Sequence, residues 1–255
     1  MSEKRVITIQ EILAGLTTLG VKHGFNLLVH SSLSKVGHIE GGAPAFIDTL
    51  VTAVGSEGTV LVPTLTGNEL LSKENPPVFD PENSPCWTGQ LPETFRQRKD
   101  AIRSLHPTHS VAAVGKHAGY FTAGHEDSLL PCGKDSPYWK LAEKQGYYLF
   151  VGVNLDSCTF MHTLEEITGV PYHMQVEKVS AKIITGKSPL TRDLYIHKYG
   201  TRVYFAKVEP LLLEKGALIK GKIGDAEALL LDAAKTAEIL LPILENDKLF
   251  FTREG

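Results

Sequence analysis

The chain has 255 residues and carries 26 Lys and Arg against 29 Asp and Glu, so its formal net charge is −3. This near balance argues against a nucleic-acid-binding protein, which normally carries a strong basic excess. With 42% hydrophobic and 22% charged residues, the composition is typical of a globular protein. The length suits one large α/β domain or two small ones, with a sizeable core.

No segment indicates a membrane anchor or a disulfide framework. The longest apolar runs, such as residues 147–153, fall far short of the roughly 20 residues that span a bilayer. The N-terminal stretch lacks the apolar block of a signal peptide. The three cysteines, Cys86, Cys132 and Cys158, are widely spaced and odd in number, as expected of buried, unreactive thiols. We therefore expect a cytoplasmic protein without a membrane partner.

The first part of the chain predicts a helix and then a strand–loop–helix–strand unit. Thr8 and Glu11 have the spacing of a capping box, and apolar residues follow at helical intervals. The predicted elements after that helix are a buried strand over 26–30, a Gly-rich polar loop over 31–42, a helix over 44–54 that starts at Pro44, and a strand over 59–63. Such a unit usually builds a parallel sheet covered by helices.

The remainder predicts further strands and helices around long loops. Residues 64–90 are rich in Pro, Asn, Ser and Glu, and a loop of this length is usually functional or mobile. The predicted strands cover 110–115, 147–153, 175–184 and 202–208, and the predicted helices cover 136–144, 160–168 and 225–241. The pattern favours a mixed sheet sandwiched by helices, with long loops over one edge.

The polar loop after the first buried strand has the composition of an anion site. Ser31, Ser32 and Ser34 offer hydroxyl donors, and Lys35 adds a positive charge. Backbone N–H groups at a strand-to-helix turn can wrap a pyrophosphate. The loop is neither a Walker A motif nor a GxGxxG motif, so neither ATP nor NAD is favoured. The alternative is a solvated connection that merely contains serines.

Two histidines stand close together in RSLHPTHSV, residues 103–111. His106 and His109 are three residues apart, but Pro107 lies between them. A metal site needs at least one more ligand at matched geometry, and nothing in the sequence selects His125 for that role. We therefore expect no metal here, and hydrogen bonds to the backbone are the alternative role of these histidines.

A histidine and a glutamate follow the strand predicted over 147–153. His162 and Glu165 are three residues apart, so they share a face of the predicted helix. A carboxylate beside an imidazole fixes its tautomer and raises its basicity, as a general base requires. The alternative is an ordinary surface ion pair.

These segments together resemble one enzyme family. Residues 29–64, 103–118 and 152–167, with the stretch from Asp80 to Arg96 between them, follow one another in the order of the motifs of the aminoglycoside 3-N-acetyltransferases. The resemblance covers roughly residues 10 to 170 and has a weaker echo at 221–226. Four ordered motifs are a far more specific signal than any one of them.

The resemblance implies a fold and a division of labour along the chain. The implied fold is a single three-layer α/β/α domain over 1–255 with a mixed central sheet. The implied roles are acetyl-CoA binding over 26–118, catalysis over 152–168 and shaping of the acceptor pocket over 170–255. The residues expected to bind acetyl-CoA are Ser31, Ser32, Leu33, Ser34, Lys35, Val36, Gly37, Ser110 and Val111.

The resemblance also implies direct acetyl transfer to an amine. His162 is the expected base, with Glu165 and Asp156 near it, and Ser110 or loop amides are expected to stabilise the oxyanion. The expected acceptor is a polycationic aminoglycoside. The oligomeric state stays open between a monomer and a dimer. The residues expected to face the acceptor are Asp80, Glu93, His106 and Glu166, and His106 is also the next candidate for the base.

Three alternatives stay open at the level of sequence. One is a family member that acetylates a different amine, because the resemblance weakens in the C-terminal third. Another is a Ser/His hydrolase with Ser110 or Ser32 as the nucleophile, although the chain has no GxSxG motif. The last is a non-catalytic protein that binds CoA or a nucleotide.

Overall fold

The computed structural model describes residues 5–186 and 188–254. Residues 1–4, part of the stretch in which no signal peptide is expected, lie outside it. The β-strands of the described residues are β1 (Val6–Ile7), β2 (Asn26–Ser31), β3 (His38–Ile39), β4 (Thr59–Pro63), β5 (Val78–Phe79), β6 (Ile102–Arg103), β7 (Val111–Gly115), β8 (Tyr147–Val151), β9 (Val179–Ile183), β10 (Leu190–Leu194), β11 (Leu218–Ile223) and β12 (Ala226–Asp232). The α-helices are α1 (Ile9–Thr18), α2 (Gly42–Val54), α3 (Gln90–Arg96), α4 (Ala118–Thr122), α5 (Pro137–Glu143), α6 (Thr159–Thr168), α7 (Glu209–Glu214) and α8 (Ala233–Asn246).

The central sheet has seven strands in the order β11-β12-β8-β2-β4-β7-β6. Strand β2 pairs in parallel with both β4 and β8, and the outer strands join antiparallel. The strand–loop–helix–strand unit predicted from the sequence is therefore confirmed, and so is the mixed sheet. Short strands β5, β9 and β10 form a separate sheet, and β1 pairs with β3.

Helices cover both faces of the central sheet. Leu27 and Val29 of β2 pack into the core formed with α1 and α2, whereas Leu28 between them packs into the core formed with α5, α6 and α8. This alternation is what a strand buried on both faces requires, because successive side chains point to opposite sides. The three-layer α/β/α architecture follows. The predicted capping box is present as well, since the Thr8 side chain accepts from the Glu11 amide and Glu11 accepts from the Thr8 amide.

Two predicted elements in the C-terminal third are wrong. The strand predicted over 202–208 is a 3₁₀ turn (Phe205–Val208) that runs into α7, where Pro210 occupies an early helical position that tolerates a missing N–H. The helix predicted over 225–241 begins only at Ala233, because residues 226–232 form β12 and pair with β8 and β11. The strand predicted over 175–184 is shorter, starting at Val179.

The carboxyl ends of β2, β4 and β8 meet at one edge of the sheet. Because the three strands are parallel, the chain leaves each of them on the same side. After β8 it turns at Gly152, whose φ of 68° suits glycine, and the Asn154 side chain then accepts from the Asp156 amide before α6 begins.

None of the described helices combines the length and the apolar composition that crossing a bilayer requires.

Candidate active site

A cavity of about 460 Å³ opens where these strands end. Ligands of open α/β sheets commonly bind at this position, outside the carboxyl ends of the strands. The lining comes from the strand ends, from the loop before α3, from the start of α6 and from the C-terminal third. Its residues are Val29, His30, Ser31, Pro63, Leu65, Trp87, Thr88, Gly89, Pro92, His109, Val153, Asp156, Ser157, Cys158, Thr159, His162, His197 and Tyr199.

His162 and Glu165 form the pair that the sequence predicts. The Nδ1 atom of His162 lies 2.7 Å from Oε2 of Glu165, and both residues belong to α6. The His162 side chain is 28% exposed, whereas that of Glu165 is fully buried. With Nδ1 held by the carboxylate, Nε2 is the nitrogen left for a substrate in the cavity, which is the arrangement of a general base.

The Glu165 carboxylate is held by neighbouring groups as well as by His162. The Tyr172 hydroxyl donates to Oε1 at 2.7 Å, and burial raises the pKa of this phenol, so that it stays a donor. His173 Nδ1 lies 3.4 Å from Oε2, and the His173 ring stacks on that of His162 with centroids 4.5 Å apart. Burial lowers the pKa of His173 to about 2, so this ring is neutral.

A second histidine–glutamate pair lies beside the first. His197 Nε2 is 2.7 Å from Oε1 of Glu166, and the other carboxylate oxygen accepts the Cys132 amide at 2.9 Å. The Glu166 side chain is fully buried, and this burial, with Glu165 nearby, raises its pKa well above the usual range. Burial also lowers the pKa of His197 well below its usual value. The His197 ring centroid lies 5.2 Å from that of His162.

The predicted acetyl-CoA loop reaches the cavity through Ser31. Its Oγ atom is buried and has no hydrogen-bond partner among the described residues. Leu33, Ser34 and Gly37 line a neighbouring groove, and Lys35 lines another that shares Val153 and Ser157 with the cavity. The other two residues of the loop, Ser32 and Val36, line none of these openings. The hydroxyls of Ser32 and Ser34 lie 3.3 Å apart, and Val36 is fully buried in the core.

The structure does not bring Ser110 and Val111 to the cavity wall. Both are fully buried. The Ser110 hydroxyl donates to the carbonyl of Thr64 at 2.9 Å, lies 2.8 Å from the Thr64 hydroxyl and accepts from Arg103 Nε at 3.2 Å. These contacts tie β7 to β4, so the hydroxyl is engaged in holding the sheet together.

Of the polar residues predicted near the chemistry and the acceptor, apart from the His162–Glu165 pair, Asp156 alone lines the cavity. Its Oδ1 atom accepts from the Ala206 amide at 2.9 Å. Asp80 caps its own turn by accepting from Asn83, and Glu93 is paired with Arg96, whose guanidinium lowers the pKa of Glu93 to about 2. The other two are buried. His106 accepts the amides of Thr108 and His109 through Nδ1, and Glu166 lies behind His197.

Three lining residues were not predicted as site residues, namely Trp87, which lies in the motif from Asp80 to Arg96, and His197 and Tyr199 in the C-terminal third. Trp87 is 62% exposed and Tyr199 42% exposed, and burial of the Tyr199 hydroxyl region raises its pKa to about 12. Trp87 Nε1 donates to the carbonyl of Gly67. Trp87 could have been predicted as a site residue because it is an aromatic residue in the long polar loop. His197 and Tyr199 lie in the C-terminal third, where the resemblance to the family weakens.

Several described residues gather metal-type donors within 4.8 Å of one another. The groups are His109, Cys132 and His197; His162, Glu165 and His173; and Glu166, His173 and His197. In the second and third groups, two of the donors are joined by a hydrogen bond of 2.7 Å. That no metal binds stays a prediction. The three cysteines are unpaired. Cys132 and Cys158 are buried, as expected, and burial raises the pKa of Cys158 to about 12, whereas Cys86 is only partly buried.

Comparisons with known proteins identify the family. The model of the family described as aminoglycoside 3-N-acetyltransferase matches residues 28–245. Aminoglycoside N(3)-acetyltransferase IV of Salmonella sp is 32% identical over 243 residues, which are 94% of this chain and 88% of that protein. Two solved structures are similar. One is AAC-IIIb in a binary complex with CoASH (TM-score 0.83, 28% identity, 98% of this chain and 100% of that one), and the other is a mutant of AAC(3)-IVa in complex with a gentamicin (TM-score 0.84, 28% identity, 98% and 93%). The chain belongs to the aminoglycoside 3-N-acetyltransferase family and is an acyltransferase.

Proposed function

We propose that this chain transfers the acetyl group of acetyl-CoA to the 3-amino group of a 2-deoxystreptamine aminoglycoside. The observation that carries the proposal is the His162–Glu165 pair, with its free imidazole edge in the cavity at the strand ends. Two relatives of similar fold support the proposal, since AAC-IIIb binds CoASH, the coenzyme product, and an AAC(3)-IVa mutant binds a gentamicin. The natural role that follows is antibiotic resistance.

The reaction needs one base and no covalent intermediate on the protein. His162 Nε2 takes a proton from the acceptor nitrogen as its lone pair adds to the thioester carbonyl. The carbon–sulfur bond then breaks, the amide forms and CoA leaves as its thiolate or thiol. Glu165 keeps Nδ1 occupied, so that the accepting nitrogen is always Nε2.

The acetyl-CoA site fits the loop after β2. Ser31 lines the cavity, and its buried Oγ atom has no hydrogen-bond partner among the described residues, so this hydroxyl is free to bond a thioester bound there. Lys35, in the adjoining groove, supplies a cation for the phosphates. We assign acetyl-CoA binding chiefly to residues 26–118, catalysis to 152–168 and acceptor selection to 170–255, within one domain over 1–255.

The acceptor enters from the side of Trp87 and Tyr199. Asp156 supplies a carboxylate to an ammonium in the cavity. Tyr199 also lines the adjoining surface hollow, which carries three acidic residues, Glu69, Glu74 and Glu177, against two lysines. We place the reaction in the cytoplasm, where acetyl-CoA is made and where thiols such as the three unpaired cysteines stay reduced.

Thiol release from acetyl-CoA tests the proposal. Gentamicin-, kanamycin- and neomycin-type aminoglycosides are offered with acetyl-CoA, beside a panel of simple amines and an aryl ester. We expect thiol release with the aminoglycosides and none of the ester hydrolysis that a Ser/His hydrolase would give. Calorimetry is expected to register heat with acetyl-CoA and little with NAD or ATP. Turnover of another amine alone would retain the enzyme class and remove the antibiotic as substrate.

A further inference from the structure

His197 is one of the three imidazoles that line the cavity beside that of His162. His197 lines the cavity, is only 6% exposed, and has its Nε2 atom engaged by Glu166. Since Nε2 points into the core, the edge that borders the cavity carries Nδ1. No hydrogen bond among the described residues engages Nδ1, so it is available to a substrate.

We propose that His197 donates the Nδ1–H hydrogen bond that stabilises the oxyanion of the acetyl group, and that Glu166 is the positioning residue that fixes His197 in this tautomer. The inference rests on the proposed acetyl transfer. When the amine adds to the thioester carbonyl, the C=O π electrons move to oxygen, and that oxygen needs preorganised donors. Ser110, the donor expected from sequence, is bound to Thr64 and Arg103 away from the cavity.

The tautomer follows from the contacts of the Glu166 carboxyl group. Oε2 accepts the Cys132 amide at 2.9 Å, which is the role of the carbonyl oxygen, the stronger acceptor, of a neutral carboxyl group. If the carboxyl group is neutral, its proton lies on Oε1 and is donated to His197 Nε2, 2.7 Å away. A neutral imidazole that accepts at Nε2 carries its proton at Nδ1. The full burial of Glu166 favours the neutral form, and its raised pKa agrees with this.

A neutral donor also suits the position of His197 next to the base. The His162 and His197 ring centroids lie 5.2 Å apart, close enough for both imidazoles to contact one acetyl group in the cavity. His162 becomes cationic as it accepts the amine proton, and a second cation beside it would oppose that step. The surrounding groups are mostly neutral, because burial keeps the pKa values of His109 and His173 low.

Substitutions at position 197 separate a donor from a merely space-filling residue. His197→Asn places an amide N–H near the position of Nδ1, whereas His197→Gln places its amide near Nε2 and leaves the cavity edge without a donor. We expect His197→Ala and His197→Gln to lose about 10²- to 10³-fold in kcat. His197→Asn is expected to retain at least about ten times the kcat of His197→Gln, because it keeps the donor. The CoA affinity of all three, measured by calorimetry, is expected to stay near that of the wild type.

The matched test of Glu166 is its amide. In the Glu166→Gln variant, the new side-chain carbonyl can face the Cys132 amide while the new amide group donates to His197 Nε2, as the neutral carboxyl group does. Glu166→Gln is therefore expected to stay within about threefold of the wild-type kcat. Equal rates for His197→Asn and His197→Gln, a near-normal rate for His197→Ala, or a Glu166→Gln rate as low as that of His197→Ala would each overturn the inference. A wild-type chain without thiol release with any amine would instead refute the proposed function.

Discussion

The two histidine–glutamate pairs contain neighbouring glutamates of α6, and their histidines differ in exposure to water. Glu165 holds His162, whose side chain is 28% exposed, whereas Glu166 holds His197, which is almost fully buried. The same pair of residue types therefore supplies two chemical groups. The exposed imidazole is open to a substrate in the cavity, whereas burial keeps the second one neutral, so that it serves as a fixed donor.

The largest effect is expected from removing the exposed imidazole. His162→Ala is predicted to lower kcat by about 10²- to 10⁴-fold, because a positioned general base typically contributes this much. Acetyl-CoA affinity should change little, since the proposed cofactor loop lies on a different element. Steady-state kinetics and calorimetry measure the two quantities. A near-normal kcat would refute the role of His162, and because His106 is buried away from the cavity, His197 would become the next candidate.

A smaller loss is expected when the carboxylate behind the base is changed. Glu165→Gln keeps the shape but not the charge, and we predict about a tenfold lower kcat if Glu165 only orients His162. Tyr172→Phe removes one donor to Glu165 and is the milder control. An increase in the acceptor KM with kcat unchanged would show instead that Glu165 binds the substrate's ammonium.

The helix that carries His162 and both glutamates was predictable, whereas the pairing of Glu166 with His197 was not. The i, i+3 spacing of His162 and Glu165 in a segment after a buried strand is local information, and the structure confirms that they meet. The sequence favoured Glu166 as a residue that faces the acceptor. Its partner in the structure is His197, which lies 31 residues further along the chain and forms an isolated β-bridge with Met174. Only the tertiary fold brings the two together.

The strands of the fold show the same contrast between local and distant information. Strands β2 and β4 were predicted because their apolar runs are bounded by polar or glycine residues. Residues 226–232 contain Ala, Glu and Leu, which are good helix formers, yet they form β12 because two neighbouring strands satisfy their backbone. Pairing with distant strands outweighed local propensity there.

The buried pair is expected to cost stability near neutral pH. The folded state holds a proton on Glu166 above pH 4.5, where an unfolded glutamate has lost it, so stability falls as pH rises from about 4.5 toward the raised pKa. Glu166→Gln removes this cost. We predict that the free energy of unfolding at pH 7, measured by urea denaturation, is higher for the variant than for the wild type. This difference in free energy is expected to shrink by up to about 1.4 kcal/mol for each pH unit as the pH is lowered toward 4.5. A constant difference would mean that Glu166 is ionised in the folded protein.

His106 is a control for His197, because it is a buried histidine that does not line the cavity. Burial lowers its pKa well below the usual value, so acidification below about 6.5 protonates the unfolded chain first and lowers stability. His106→Asn retains an acceptor for the amides of Thr108 and His109 but does not titrate. We predict nearly normal kcat and a stability difference that moves by about 2 kcal/mol in favour of the variant between pH 7 and pH 5. An unchanged difference would contradict a neutral buried His106.

The chemical structure of the product tests the proposed acetyl transfer most directly. Wild-type protein is incubated with acetyl-CoA and a gentamicin-type aminoglycoside, and the product is analysed by mass spectrometry and NMR. We predict one added acetyl group, on the 3-amino nitrogen, and no product with His162→Ala. Acetylation at another position, or product formation at the wild-type rate by His162→Ala, would contradict this prediction.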